Sequence, residues 1–379
     1  MERSKEQLLE LTRCALWGSQ LNIELFEQGV EWSKVLQLAK EQTILGVIST
    51  SIERLPLSLQ PTRIEVLRLH QMVTLNRAYH KHQIEVLAKL LELVKRAGVE
   101  RPVLLKGLGV GLNYPDPTLR QCGDIDLYVG EKHYFKVWDL VCAEFGCKRE
   151  ESPLGHHFNF EFMETHIEIH RYVNSTKSIA FRNREFLQWS ASQLEGEELR
   201  EVSIDGVSVL LPPYNFDLIF IFYHTWRHFF VGGVGLRQVC DWACYADAFA
   251  DKANIEELKR VINYFKLYPI ISLFATIAVK ELGVAPEKFS NYASTTKDNY
   301  KKVLDKIWSG GNFGVYNKRQ KPHSKTIFER KCRTLWWHIQ NMAFLFDIDK
   351  VYIIKSYTSL FSMLIVDAIK QHKTFGNKL

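Results

Sequence analysis

The sequence predicts an α+β protein, and three observations carry that expectation. Apolar residues recur at helical spacing from Glu6 to about Gly98, short alternating segments replace them between Arg101 and about Leu211, and helical spacing returns after Pro212-Pro213. The chain accordingly divides into an N-terminal helical region (1–98), an α+β core (99–212) and a C-terminal helical domain (213–379).

In chain order, Leu8, Leu11, Ala15 and Leu16 begin an apolar stripe, and Trp32, Val35, Leu36, Leu38 and Ala39 continue one. A long helix is predicted over 63–96, with Leu67, Val73, Leu75, Ile84, Leu87, Leu90 and Val94 as its apolar positions. Strands are predicted at 103–105, 125–129, 157–163, 166–172 and 207–211, with a helix over 133–145 between the second and third. The polar stretch 174–193 reads as a loop with a helix, and Asn215 as the N-cap of the helix after the proline pair. The rest reads as helical, interrupted by the glycine-rich 309–314 and the basic residues Lys318, Arg319, Lys321 and Lys325. That interruption is either a loop closing over phosphate or simply a solvated loop.

With 379 residues, 46% of them hydrophobic, the chain can bury a substantial core, enough for two or three compact units. The net charge of +6 is a mild, diffuse basic bias, which argues against a nucleic-acid partner. The best spanning candidate, 356–366, is far too short to cross a membrane. Seven cysteines (Cys14, Cys122, Cys142, Cys147, Cys240, Cys244 and Cys332), an odd count behind a charged N-terminus, predict reduced thiols and a cytoplasmic location. Neither Cys142/Cys147 nor Cys240/Cys244 has Cys-x-x-Cys spacing, so both read as structural pairs.

The chemistry concentrates at Asp124 and Asp126, two apart in Gly123-Asp124-Ile125-Asp126-Leu127-Tyr128-Val129. On a strand both carboxylates share one face while Ile125 and Leu127 take the other. Like charges this close need a cation to neutralise them, and magnesium, which takes oxygen ligands and accepts substrate phosphates in its shell, is the natural one. Glu164-Thr165-His166-Ile167-Glu168-Ile169-His170 alternates in the same way and puts His166, Glu168 and His170 on one face, with Glu168 the candidate third carboxylate. Upstream, Lys106 and Gly107 end an apolar strand at a turn where small residues admit a phosphate to backbone amides. Lys106, Gly107 and Arg120 are the candidate phosphate-binding residues, although Arg120 equally suits a salt bridge to Asp116 or Asp124.

The series Leu105-Lys106-Gly107, Tyr114-Pro115-Asp116-Pro117, Arg120, Asp124-Ile125-Asp126-Leu127 and Ile167-Glu168-Ile169-His170-Arg171 resembles the nucleotidyltransferases of the DNA polymerase beta superfamily, and within it an uncharacterised bacterial branch. The helices of 32–55 are similar to the opening of that branch, and so is His224-x-x-x-His228 followed by glycines and Arg237-x-x-x-Asp241. The resemblance implies a nucleotidyltransferase-type mixed-sheet core flanked by helices. It also implies a metal-dependent transferase that moves a nucleoside monophosphate from a triphosphate, ATP foremost, to an unknown hydroxyl acceptor. Asp124, Asp126 and Glu168 would be its catalytic residues and hold two Mg2+ ions, with His170, His224, His228, Arg237 and Asp241 candidates for the substrate cleft.

The chain departs from the superfamily where Leu108 follows Gly107 in place of Gly or Ser, so a hydroxyl is missing and Lys106 is left to supply charge. His224 and His228 share a helix face, but Thr225 stands where a zinc-protease helix has Glu, and helix packing explains the pair and Arg237/Asp241 as well. His156 and His157 border the site strand, either as substrate contacts or as core hydrogen bonders. Two other functions suit the sequence: a catalytically inactive nucleotidyltransferase fold that binds a nucleotide or a partner protein, and a nucleic-acid binder using the basic C-terminal segment.

Overall fold

Residues 103–211 form one mixed sheet, of strands β1 (Val103–Leu105), β2 (Asp124–Tyr128), β3 (His157–Phe162), β4 (Thr165–His170), β5 (Arg200–Ile204) and β6 (Val207–Leu211). Their spatial order is β3-β4-β2-β1-β6-β5. The β2/β4 and β1/β6 pairs are parallel, while β1/β2 and the outer pairs β3/β4 and β5/β6 are antiparallel. With helices before and after it, the sheet makes the chain α+β. The computed structural model describes residues 2–146, 155–175, 182–231, 233–314 and, beyond these, 339, 342–348, 350, 353–355 and 358. Cys147, Gly232, Cys332 and the basic Lys318, Arg319, Lys321 and Lys325 lie outside the described residues.

The long helix runs Arg63–Arg96 because Thr62 caps it: its hydroxyl accepts from the Glu65 amide, and the Glu65 carboxylate accepts from the Thr62 amide. The C-terminal half of this helix buries Ile84, Leu87, Leu90 and Val94 against Ile125, Leu127, Ile167 and Ile169 of the sheet, together with Tyr134, Val137 and Val141 of helix Gly130–Phe145. Alternation along β2 and β4 then turns Asp124, Asp126, Glu168 and His170 to the opposite face. A second apolar cluster joins Leu8, Leu11, Val35 and Ile48 of the N-terminal helices to Phe216, Phe220, Trp242 and Ile271 of the helices that follow the sheet. Arg13 ties the two helical groups by donating to the Glu281 carbonyl at 2.9 Å.

Two local readings change. Helix Tyr214–Val231 begins before Asn215, whose amide donates instead to the Asn254 carbonyl at 3.1 Å and to Glu257 Oε2 at 2.6 Å, so a tertiary contact takes the place of a cap. Residues 200–204 form the edge strand β5, paired with β6 through the Asp205-Gly206 turn. No helix among the described residues is long and apolar enough to cross a membrane.

Candidate active site

Parallel pairing of β2 with β4 sets Asp126 opposite Glu168 and Asp124 opposite His166. Asp126 is only 1% exposed. Its Oδ1 meets two nitrogens at once, the Lys106 ammonium Nζ at 3.0 Å and His170 Nε2 at 2.9 Å, and the same His170 nitrogen lies 3.3 Å from Glu168 Oε2. Ligand atoms of Asp126, Glu168 and His170 fall within 4.8 Å of one another, as do those of His156, His157 and His170; Asp124 belongs to neither trio. His170 therefore sits at the junction of the two groups, with Asp124 beside them on the same sheet face.

The charges follow from this geometry. Burial pushes the Asp126 carboxyl up, but the Lys106 charge and the His170 hydrogen bond outweigh it and hold Asp126 well below the ordinary carboxylate range. Burial would lower His170, yet its hydrogen bonds to Asp126 and Glu168 keep it above the ordinary imidazole value. Asp124 has no such hydrogen-bonded partner among the described residues: burial, then the neighbouring Asp126 charge, raise it against the pull of the Lys106 charge. Burial lowers His156 to about 2 and His228 to about 3, and pushes His224 well down, with Lys106 adding to it.

Lys106 holds its place at a backbone cost. Its φ of 50° and ψ of −141° lie in a region L-residues rarely occupy, and Gly107 follows at φ 44°. A Cβ on Gly107 would lie 3.3 Å from Cys122 Sγ and 3.4 Å from the Asp124 carbonyl oxygen, so the turn is pressed against the entry to β2. Gly107 also opens the short helix Gly107–Gly111.

Arg120 is turned away from solvent, at 7% exposure, and committed to Asp241: Nε lies 2.7 Å from Oδ1 and an Nη 2.8 Å from Oδ2. Tyr114 adds its hydroxyl to Asp241 Oδ1 at 2.7 Å. This buried clamp fastens the loop before β2 to helix Leu236–Phe249. Arg237, one turn earlier on that helix, faces the cleft; it donates to the Gln121 carbonyl at 2.6 Å while its Nε has no hydrogen-bond partner among the described residues. His224 lines the same cleft, with the His228 ring 4.4 Å away, centroid to centroid. His166 pairs with Glu161 at 2.8 Å. Cys240 and Cys244 are buried and free, with burial raising both thiols.

The cleft between the sheet and the two helices is lined by Lys106, Asp124, Asp126, Arg120, His224 and Arg237, among others, and its volume of about 60 Å³ suits ions and a few waters. An oxygen-rich donor set at its floor fits magnesium. Sequence reasoning missed Arg227, which donates to Asn174 Oδ1 at 2.9 Å and whose charge is felt by Asp126 and Glu168. It stands alone next to His228, with no spacing that marks it.

The sequence model of a family described as an uncharacterised nucleotidyltransferase matches residues 28–283, more than half of the chain. No curated protein and no solved structure matches it.

Proposed function

Because the chain belongs to this uncharacterised nucleotidyltransferase family, we propose that it moves a nucleoside monophosphate from a nucleoside triphosphate, ATP foremost, to an acceptor hydroxyl, releasing pyrophosphate. The observation that carries the reading is the β2/β4 register, which turns Asp124, Asp126 and Glu168 to one sheet face, with Asp124 and Asp126 lining the cleft. These three carboxylates would hold two Mg2+ ions, which when bound neutralise phosphate charge and acidify the acceptor hydroxyl.

The chain's own groups would align and balance the charges. Lys106 gives up Asp126 to face the triphosphate, and Arg237, with its unpartnered Nε, takes an anionic oxygen at the mouth of the cleft. His170 acts as a positioning residue, holding the Asp126 and Glu168 carboxylates in register. Glu168, half-exposed, is placed to accept the acceptor's proton. The Arg120–Asp241 clamp fixes the cleft wall. The helices over 214–310 decide which acceptor enters, and the buried free thiols suit a reducing cytoplasm.

One observation favours a second reading, a catalytically silent fold that binds nucleotide or a partner: Lys106 Nζ already neutralises Asp126. Incubation with each α-labelled triphosphate, magnesium and a cell extract separates the two. Magnesium-dependent label transfer by the wild type, lost in Asp124→Asn, supports the enzyme; no transfer by the wild type with any triphosphate supports the silent fold.

A further inference from the structure

The transfer reading uses the carboxylates of the cleft and His170, and leaves the imidazoles of His156 and His157 beside them. We propose that His156, His157 and His170 form a second site, overlapping the oxygen-lined one at His170 and Glu168, for a borderline divalent cation of the zinc class, bound through ring nitrogens, with Glu168 as a neighbouring oxygen donor.

The strand register builds the cluster. His157 opens β3 and pairs directly with His170, which ends β4. His156 is anchored next to it, its carbonyl accepting from the Arg171 amide at 3.0 Å and the Tyr172 amide at 3.2 Å. Three imidazoles thus converge from two adjacent strands, with ligand nitrogens within 4.8 Å of one another and ring centroids 4.2, 5.1 and 6.0 Å apart. His157 Nδ1 and His156 Nε2 are 2.9 Å apart, so two of the nitrogens already point at one another within hydrogen-bond distance.

Two further features suit a metal. His170 Nδ1 lies 3.3 Å from the Tyr172 carbonyl oxygen, the outer hydrogen bond that fixes the tautomer of a ligating histidine, and binding through Nε2 would exchange that nitrogen's contacts with Asp126 and Glu168 for the ion. Glu168 Oε1 stands 3.8 Å from His157 Nε2, which brings a carboxylate to a set otherwise made of nitrogen. Three imidazoles and one carboxylate match zinc or cobalt, whereas magnesium takes oxygen almost exclusively. Because His170 and Glu168 also touch the Asp126 group, an ion held here would draw both from the oxygen-lined site, and occupancy of the two would be coupled.

The proposal does not depend on nucleotidyl transfer and is tested without it. The full chain, free of any histidine tag and stripped with chelator, is titrated with Co2+ while its visible ligand-field absorption is followed. The expected result is one equivalent of Co2+ giving intense visible bands that Zn2+ abolishes, retained in Asp124→Asn and weakened at least about 100-fold in affinity in His157→Ala. His156→Gln serves as the second ligand variant should His157→Ala fail to fold, as judged by circular dichroism. Absence of bands in the wild type, equal affinity in both folded histidine variants, or loss of the bands in Asp124→Asn would overturn it.

Discussion

Asp126 faces Glu168 across two parallel strands, and the His170 imidazole bridges their carboxylates from the same face. Asp124, two residues before Asp126, carries the same charge without that bridge, and its carboxyl is raised where that of Asp126 is lowered. The two aspartates should therefore separate under mutation. Asp124→Asn relieves repulsion and should leave urea stability unchanged or slightly improved, while turnover falls about 10²–10³-fold. Asp126→Asn strips the partner from Lys106 and His170 and should cost about 3 kcal/mol of stability as well. Equal destabilisation by both would contradict this assignment of charges.

The Arg120–Asp241 pair is buried on both sides and doubly hydrogen-bonded. Asp241→Asn should lower unfolding stability by about 3–5 kcal/mol, because it leaves a guanidinium buried without its countercharge. Arg120→Lys should not preserve the wild-type value, since an ammonium cannot reproduce the two-pronged geometry. Chemical denaturation of the two variants, with a loss under about 1 kcal/mol in either, would show that the clamp is not what holds this wall.

Lys106 offers a backbone test. At φ 50° and ψ −141°, any side chain pays strain that glycine escapes. Both Lys106→Ala and Lys106→Gly remove the ion pair with Asp126, yet Lys106→Gly should be the more stable by about 1–3 kcal/mol, opposite to the order in a helix. Urea midpoints of the two variants measure the difference directly.

The His170 shift sets a pH dependence. Its folded value lies above 6.5, so its contribution to stability is full below about that pH and is lost as pH rises through the raised value. Asp126 works in the other direction: its contribution is present above the ordinary 3.8 and disappears as pH falls toward the depressed value. Buried His156, His224 and His228 are held neutral in the fold and add stability as pH rises toward the ordinary imidazole value, so the His170 effect is read as a difference: the stability advantage of the wild type over His170→Asn should shrink as pH rises through neutral, by up to about 1.4 kcal/mol per pH unit.

Some of this was open to reading in the sequence because the signals are local. The capping pair Thr62/Glu65 and the apolar spacing of Ile84, Leu87, Leu90 and Val94 mark the helix over 63–96, and alternation marks the faces of β2 and β4. The strand β5 was missed because Arg200-Glu201-Val202-Ser203-Ile204 lies at the sheet edge with its polar residues outward; the Asp205-Gly206 turn, both residues at positive φ, was the available signal. The partner of Arg120 lies 121 residues away in Asp241, and that of Lys106 lies across the β1/β2 pair; neither distance leaves a trace in spacing. His170 showed itself as a residue of the site face, but not as the bridge between two carboxylates.

The most direct measurement is a Mn2+ anomalous difference map from crystals grown with a non-hydrolysable triphosphate. Density is expected among Asp124, Asp126 and Glu168, with Lys106 Nζ moved off Asp126 toward phosphate. Manganese bound elsewhere, with the Lys106–Asp126 ion pair intact beside a bound triphosphate, would contradict it.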